Sequence, residues 1–93
     1  LHTRNKPSGT YTGNGDATIR TINIGGIGDV CYIWSSNKGY SAIVDHDGAL
    51  IYGLETVKHV KPQVVNFRNG ILTIISNDPG LNYNGTTYTY QVL

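Results

Sequence analysis

The residues with the greatest capacity for chemistry lie in one short turn, Asp45-His46-Asp47, directly before Gly48. Oxygen-rich turns of this kind bind calcium, which makes Asp45 and Asp47 the candidate metal ligands. An Asp-Gly hairpin turn explains the same residues without a metal, because Asp carboxylates in turns accept backbone N–H bonds. We expect this structural role for both carboxylates, with no metal bound tightly.

The sequence shows no catalytic set. Six acidic residues leave little material for general acid-base chemistry, and no nucleophile elbow or Ser/His/Asp arrangement is visible. His2, His46 and His59 are too dispersed for zinc spacing. Cys31 has no partner for an internal disulfide, and its apolar neighbours indicate a buried strand residue rather than a nucleophile. We therefore predict that the domain is not an enzyme and has no cofactor.

Charge and loop chemistry argue against three classes of ligand. Seven Lys and Arg are scattered along a chain of net charge +1, so no nucleic-acid footprint exists. Gly25-Gly26-Ile27-Gly28 resembles part of a phosphate loop, but a predicted strand rather than a helix follows it. No apolar run has membrane-spanning length. We expect neither nucleic acid, phosphate nor membrane as a partner.

The composition is that of a turn-rich β protein. Charged residues are 14% of the chain, below the average of about 25%, and glycine contributes 12 of 93 residues. Apolar strand-like runs separated by Gly, Asn and Asp turns cover residues 9–12, 17–24, 30–35, 40–44, 49–52, 64–67, 71–76 and 86–92. Residues 54–61 are predicted to be irregular with one helical turn at most, because Pro62 follows. Seven to eight short strands predict an antiparallel β-sandwich or jelly-roll over 9–93, with 1–8 as a linker or arm.

The alternation of the last strand predicts one buried and one outward face. Tyr88, Tyr90 and Val92 share one side of it, whereas Thr87, Thr89 and Gln91 share the other. Residues 30–35 are apolar on both faces and are the candidate central strand. The predicted core comprises Ile22, Ile24, Tyr32, Trp34, Phe67, Ile74, Tyr88 and Tyr90. Any of the seven tyrosines or Trp34 left outward would suit stacking on sugar rings or burial between subunits.

Three stretches carry a resemblance that spans most of the chain: 9–15 (GTYTGNG), 20–25 (RTINIG) and 82–90 (NYNGTTYTY). They resemble the β-sandwich modules near the ends of bacteriophage tail fibres, tailspikes and neck appendages. The resemblance implies a virion, extracellular location and a structural role in host attachment. It also implies a homotrimer that contacts cell-wall polysaccharide or teichoic acid.

A small sandwich without disulfides gains stability by burying surface against symmetry mates. The residues expected at such an interface are Val64, Val65, Thr87 and Thr89. The chain begins Leu1-His2-Thr3 and contains no Met, which favours a piece of a longer polypeptide whose preceding domain would be a further partner. Two alternatives remain open. One is a monomeric carbohydrate-binding module, marked by outward Tyr and Trp; the other is a maturation or accessory domain of a larger enzyme, for which Asn77-Asp78-Pro79 is the candidate turn.

Overall fold

A computed structural model describes residues 6–25, 28–35, 39–53 and 55–93. This part of the chain forms strands and turns without a helix. Its strands are β1 (Ser8–Thr12), β2 (Arg20–Asn23), β3 (Cys31–Ser35), β4 (Ser41–Asp45), β5 (Gly48–Tyr52), β6 (Val57–Val60), β7 (Val65–Arg68), β8 (Ile71–Ile74) and β9 (Thr87–Val92).

The strands form two antiparallel sheets. The larger has six strands in the order β1-β9-β3-β4-β5-β6, and the smaller has three in the order β2-β8-β7. The prediction of an all-β antiparallel sandwich is confirmed, whereas the division into six and three strands does not confirm the jelly-roll. β3 lies between β9 and β4, so the predicted central strand is paired on both sides.

Turn chemistry sets the register of the hairpins. Asn69 and Gly70 join β7 to β8 with φ values of 53° and 77°, the left-handed pair that a two-residue type I′ turn requires. The predicted turn around residues 36–39 lies mostly outside the described residues, as do Gly26, Ile27 and residues 1–5 of the predicted arm. β1 begins at Ser8, one residue before the expected boundary of the sandwich.

The prediction for residues 54–61 was wrong. Val57–Val60 is the edge strand β6, paired with β5 in the register Tyr52↔Val57 to Ala49↔Val60. Of its four residues only Val60 is half-buried, so the strand carries almost none of the apolar alternation that identifies strands in a sequence. Its conformation depends on hydrogen bonds to β5, which are not visible in local sequence.

The core lies between the two sheets. The buried apolar residues are Tyr11, Cys31, Ile33, Ala42, Val44, Ala49, Ile51, Val65, Phe67, Leu72, Ile74, Leu81, Tyr88 and Val92. Of the predicted core residues, Phe67, Ile74 and Tyr88 are fully enclosed, while Ile22, Ile24 and Tyr90 are half-buried against the core.

The core assignment of Tyr32 and Trp34 was wrong. Cys31, Ile33 and Ser35 occupy the inward positions of β3, so the alternation of the strand places Tyr32 and Trp34 on its other face, half-buried. Because both faces of this strand are apolar, its sequence did not distinguish the inward from the outward side.

Candidate binding surface on the outer sheet face

The face of the six-stranded sheet opposite the core is the candidate functional surface, and we call it the outer face. Strand parity and register assign to it Ser8, Thr10, Thr12, Tyr32, Trp34, Ser41, Ile43, Asp45, Leu50, Tyr52, Val57, His59, Thr87, Thr89 and Gln91. Six strands spaced about 4.8 Å apart give it a width of about 24 Å. It is broad enough for a macromolecular contact.

One half of the outer face is aromatic and hydroxylated. Tyr32 and Trp34 lie two residues apart on β3, with ring centroids separated by 5.1 Å and ring planes tilted by 31°. On the neighbouring strand β9, Gln91 is directly opposite Tyr32 and Thr89 is opposite Trp34. Thr10 of β1 then pairs with Thr89. We call Thr10, Tyr32, Trp34, Thr89 and Gln91 the aromatic-hydroxyl patch.

The other half is aliphatic. Ile43 of β4 is opposite Leu50 of β5. Tyr52 of β5 is opposite Val57 of the edge strand β6. Ile43 is 37% exposed, Leu50 39% and Val57 65%, although the inward neighbours of Ile43 and Leu50 on β4 and β5 are buried. We call Ile43, Leu50, Tyr52 and Val57 the aliphatic patch. Contiguous exposed apolar groups of this kind are typical of interaction surfaces.

The predicted metal residues lie at one end of the aliphatic patch. Asp45, Asp47 and His59 line a shallow depression of about 210 Å³ together with Ile43 and Leu50. The Asp47 N–H donates a hydrogen bond of 2.8 Å to Asp45 Oδ1. The Asp45 carboxylate therefore has the turn-capping role expected of it. The described residues contain no group of three or more His, Cys, Asp or Glu side chains arranged for a metal.

The residues expected at a subunit interface do not lie together. Thr87 and Thr89 face outward from β9, at the hydroxyl side of the outer face. Val65 is 0% exposed and packs in the core of the single chain, so its side chain is not accessible to a neighbouring copy. Val64 is half-buried, and its carbonyl accepts a 2.6 Å hydrogen bond from the Ile75 N–H.

Asn82 lies at the centre of a buried hydrogen-bond network. Its side chain is fully buried, and Oδ1 accepts hydrogen bonds of 3.0 Å from the Asn14 N–H and from Arg20 Nη1. Nδ2 donates to Asn14 Oδ1 at 2.8 Å, to the Ser76 carbonyl at 3.0 Å and to the Asp16 carbonyl at 3.2 Å. Sequence reasoning missed this residue, because an Asn next to turn residues is explained equally well by local turn chemistry.

A stack of aromatic and cationic groups adjoins Asn82. The Tyr11 and Tyr88 rings are stacked at 5.1 Å, and the Arg20 guanidinium lies 5.4 Å from the centre of the Tyr11 ring. The Tyr11 hydroxyl donates a 2.7 Å hydrogen bond to the Leu81 carbonyl. Burial, more than any neighbouring group, raises the pKa of Tyr11, and burial also raises that of Tyr88. The three stretches that carry the phage-fibre resemblance each contribute a residue to this arrangement.

Two further sequence candidates have structural positions. Burial raises the pKa of the Cys31 thiol to about 12, which keeps it protonated and unreactive at neutral pH. In the Asn77-Asp78-Pro79 turn, Asp78 Oδ1 accepts a 2.8 Å hydrogen bond from the Gly80 N–H, and the carboxylate forms an ion pair with Lys58. The buried Cys31 thiol and the Asp78 carboxylate therefore each have a structural role.

No known family model, curated protein or solved structure matches this chain. Within the described ranges, no helix is long and apolar enough to cross a membrane.

Proposed function

We propose that this domain is a non-catalytic structural and adhesive module of a phage tail fibre or tailspike. It assembles as a homotrimer, in the virion, through the aliphatic patch. The observation that carries the assembly is the exposure of Ile43 and its register partner Leu50 on β4 and β5, with exposed Val57 on β6 two positions from His59, the register partner of Leu50.

Apolar exposure alone does not name the partner, but the character of the patch favours another folded protein surface. Interface cores are depleted in charged residues and enriched in aromatic ones, and the aliphatic patch contains Tyr52 and no charged side chain. Burying Leu50 and Val57 would add to the apolar surface removed from water, which is limited in a chain of 93 residues. The resemblance of residues 9–15, 20–25 and 82–90 to phage-fibre modules supports further copies of the same chain, arranged around a threefold axis.

Sedimentation equilibrium and light scattering test this proposal directly. We expect a trimeric mass and a thermal midpoint that rises with protein concentration, because association stabilises the folded state by mass action. A monomeric mass at high concentration together with a concentration-independent midpoint would overturn the trimer. It would move the assignment to a solitary carbohydrate-binding module.

A further inference from the structure

The aromatic-hydroxyl patch combines ring faces with polar groups on a rigid support. β3, which carries Tyr32 and Trp34, is hydrogen-bonded to strands on both sides. The two rings pack against each other at 5.1 Å and keep part of their surface in solvent. A binding site built on an interior strand is better preorganised than one on a loop.

The polar side of the patch contains groups that are available to a ligand. The hydroxyls of Thr10 and Thr89 have no hydrogen-bond partner among the described residues. Gln91 Nε2 donates to the Lys6 carbonyl at 3.1 Å and to the Val92 carbonyl at 3.0 Å, which orients the side chain. Gln91 Oε1 is then an acceptor on an oriented side chain, and the register partner of Gln91 is Tyr32.

Charge identifies the class of ligand. Thr10, Tyr32, Trp34, Thr89 and Gln91 are all uncharged, and so are Ser8 and Ser41 at the flanking outward positions. Among the described residues that form this patch, an anionic or cationic ligand would therefore meet no side chain of opposite charge. A sugar ring has an apolar C–H face that suits stacking on an aromatic ring, and hydroxyls at its rim that suit Thr and Gln side chains.

We propose that the aromatic-hydroxyl patch binds a neutral saccharide, with one sugar ring stacked on Trp34 or Tyr32 and its hydroxyls bonded to Thr10, Thr89 and Gln91. This inference rests on the adhesive part of the proposed function and does not depend on the trimer. The saccharide site and the aliphatic patch occupy different strands of one face, so the module would assemble with one half and adhere with the other.

Trp34 is the sole tryptophan, so its fluorescence reports directly on this patch. Cellotetraose, maltotetraose and tetra-N-acetylchitotetraose are titrated separately into the full chain. We expect at least one of them to give a saturable change in emission, with affinity confirmed by calorimetry. No saturable signal with any of the three at millimolar concentration would overturn the proposal.

Two variants locate the site by calorimetry. Trp34→Ala and Thr89→Val are each expected to weaken binding about tenfold, the equivalent of about 1.4 kcal/mol. Thr89→Val preserves the shape of the side chain, so it can test the site even if Trp34→Ala does not fold. Tyr83→Ala removes a 45% exposed ring outside the sheet and is expected to bind as the parent does. Unchanged affinity in a folded Thr89→Val protein would exclude this patch.

The saccharide and trimer results are separable. A monomeric protein that binds an oligosaccharide through Trp34 would refute the trimer and support the site. A trimer whose Trp34 emission responds to none of the three oligosaccharides would support the trimer and refute the saccharide site.

Discussion

Asn82 and Asn14, which are 68 positions apart in the chain, exchange two hydrogen bonds: Asn14 N–H to Asn82 Oδ1 at 3.0 Å, and Asn82 Nδ2 to Asn14 Oδ1 at 2.8 Å. This pair joins the turn after β1 to the turn before β9. Because Asn82 is fully buried, each of its donors and acceptors needs a protein partner. Asn82 therefore connects two turns that are far apart in the sequence.

Asn82→Asp tests the importance of that pair. The substitution keeps the shape of the side chain but replaces the donor Nδ2 with an acceptor that faces the Ser76 and Asp16 carbonyls. We expect the free energy of unfolding to fall by about 3 kcal/mol, the cost of leaving buried acceptors unpaired. Urea denaturation measures it. Asn23→Asp, at an exposed position of β2, is the matched control, and a loss of less than about 1 kcal/mol in Asn82→Asp would refute the role.

Phe67→Ala and Trp34→Ala are expected to differ in stability, although both remove a large ring. Phe67 is 2% exposed between the sheets, so its removal leaves a cavity and costs about 3–5 kcal/mol. Trp34 lies on the outer face, where truncation costs about 1 kcal/mol. Thermal melting compares them. Equal losses would show that the two faces of β3 are wrongly assigned.

Leu50→Glu is expected to dissociate the trimer without unfolding the chain. Leu50 is 39% exposed, so the charge remains in water in the monomer but is buried unpaired in the assembly. Ile71→Glu is the matched control, because Ile71 is 40% exposed and lies on β8 in the other sheet. Sedimentation measures the oligomeric state of both variants. A monomer for Leu50→Glu and a trimer for Ile71→Glu would support the aliphatic patch as the trimer interface. Two trimers would exclude it.

Val65 was among the residues expected at the interface, but a charge placed there would not distinguish loss of assembly from loss of folding. Val65 is completely enclosed in the single chain, so an aspartate there would unfold the monomer irrespective of any neighbour.

Stability is expected to fall at alkaline pH. Burial raises the pKa of Cys31 to about 12, above the ordinary thiol value of about 8.5. The native state therefore retains a proton that the unfolded chain releases, so this stability is complete below about pH 8.5 and is lost as pH rises towards 12. Tyr11 and Tyr88, whose pKa values are raised as well, add to the loss above about pH 10.

Urea unfolding between pH 8 and pH 11 measures this slope. Cys31→Ala is expected to be less stable throughout but to lose less stability with rising pH than the parent. Identical slopes in Cys31→Ala and the parent would contradict a raised thiol pKa.

Calcium is expected to leave the melting temperature unchanged. Asp45 Oδ1 already accepts the Asp47 N–H, and the turn has this partner without an ion. Differential scanning calorimetry with millimolar calcium, and with chelator as the control, makes the comparison. A rise in melting temperature that disappears in Asp47→Ala would instead show a metal site.

The sequence alone was sufficient for the fold class and for most of the strands. Asn69-Gly70 predicted its hairpin because a type I′ turn needs two left-handed residues, a requirement that is local to the turn. The alternation of Tyr88, Tyr90 and Val92 against Thr87, Thr89 and Gln91 identified the buried side of β9, because one face is apolar and the other is polar. Where local pattern and local chemistry agree, the sequence is informative.

Tertiary structure decided which apolar residues face outward and which polar residue is central. Both faces of β3 are apolar, so only pairing with β9 and β4 and packing of the second sheet place Tyr32 and Trp34 outside. β6 has hardly any buried residue, and its strand form comes from β5. Asn82 resembles other turn asparagines in sequence, yet folding brings Asn14, Asp16, Arg20 and Ser76 to its side chain. Such features depend on contacts between residues far apart in the chain, which local periodicity does not encode.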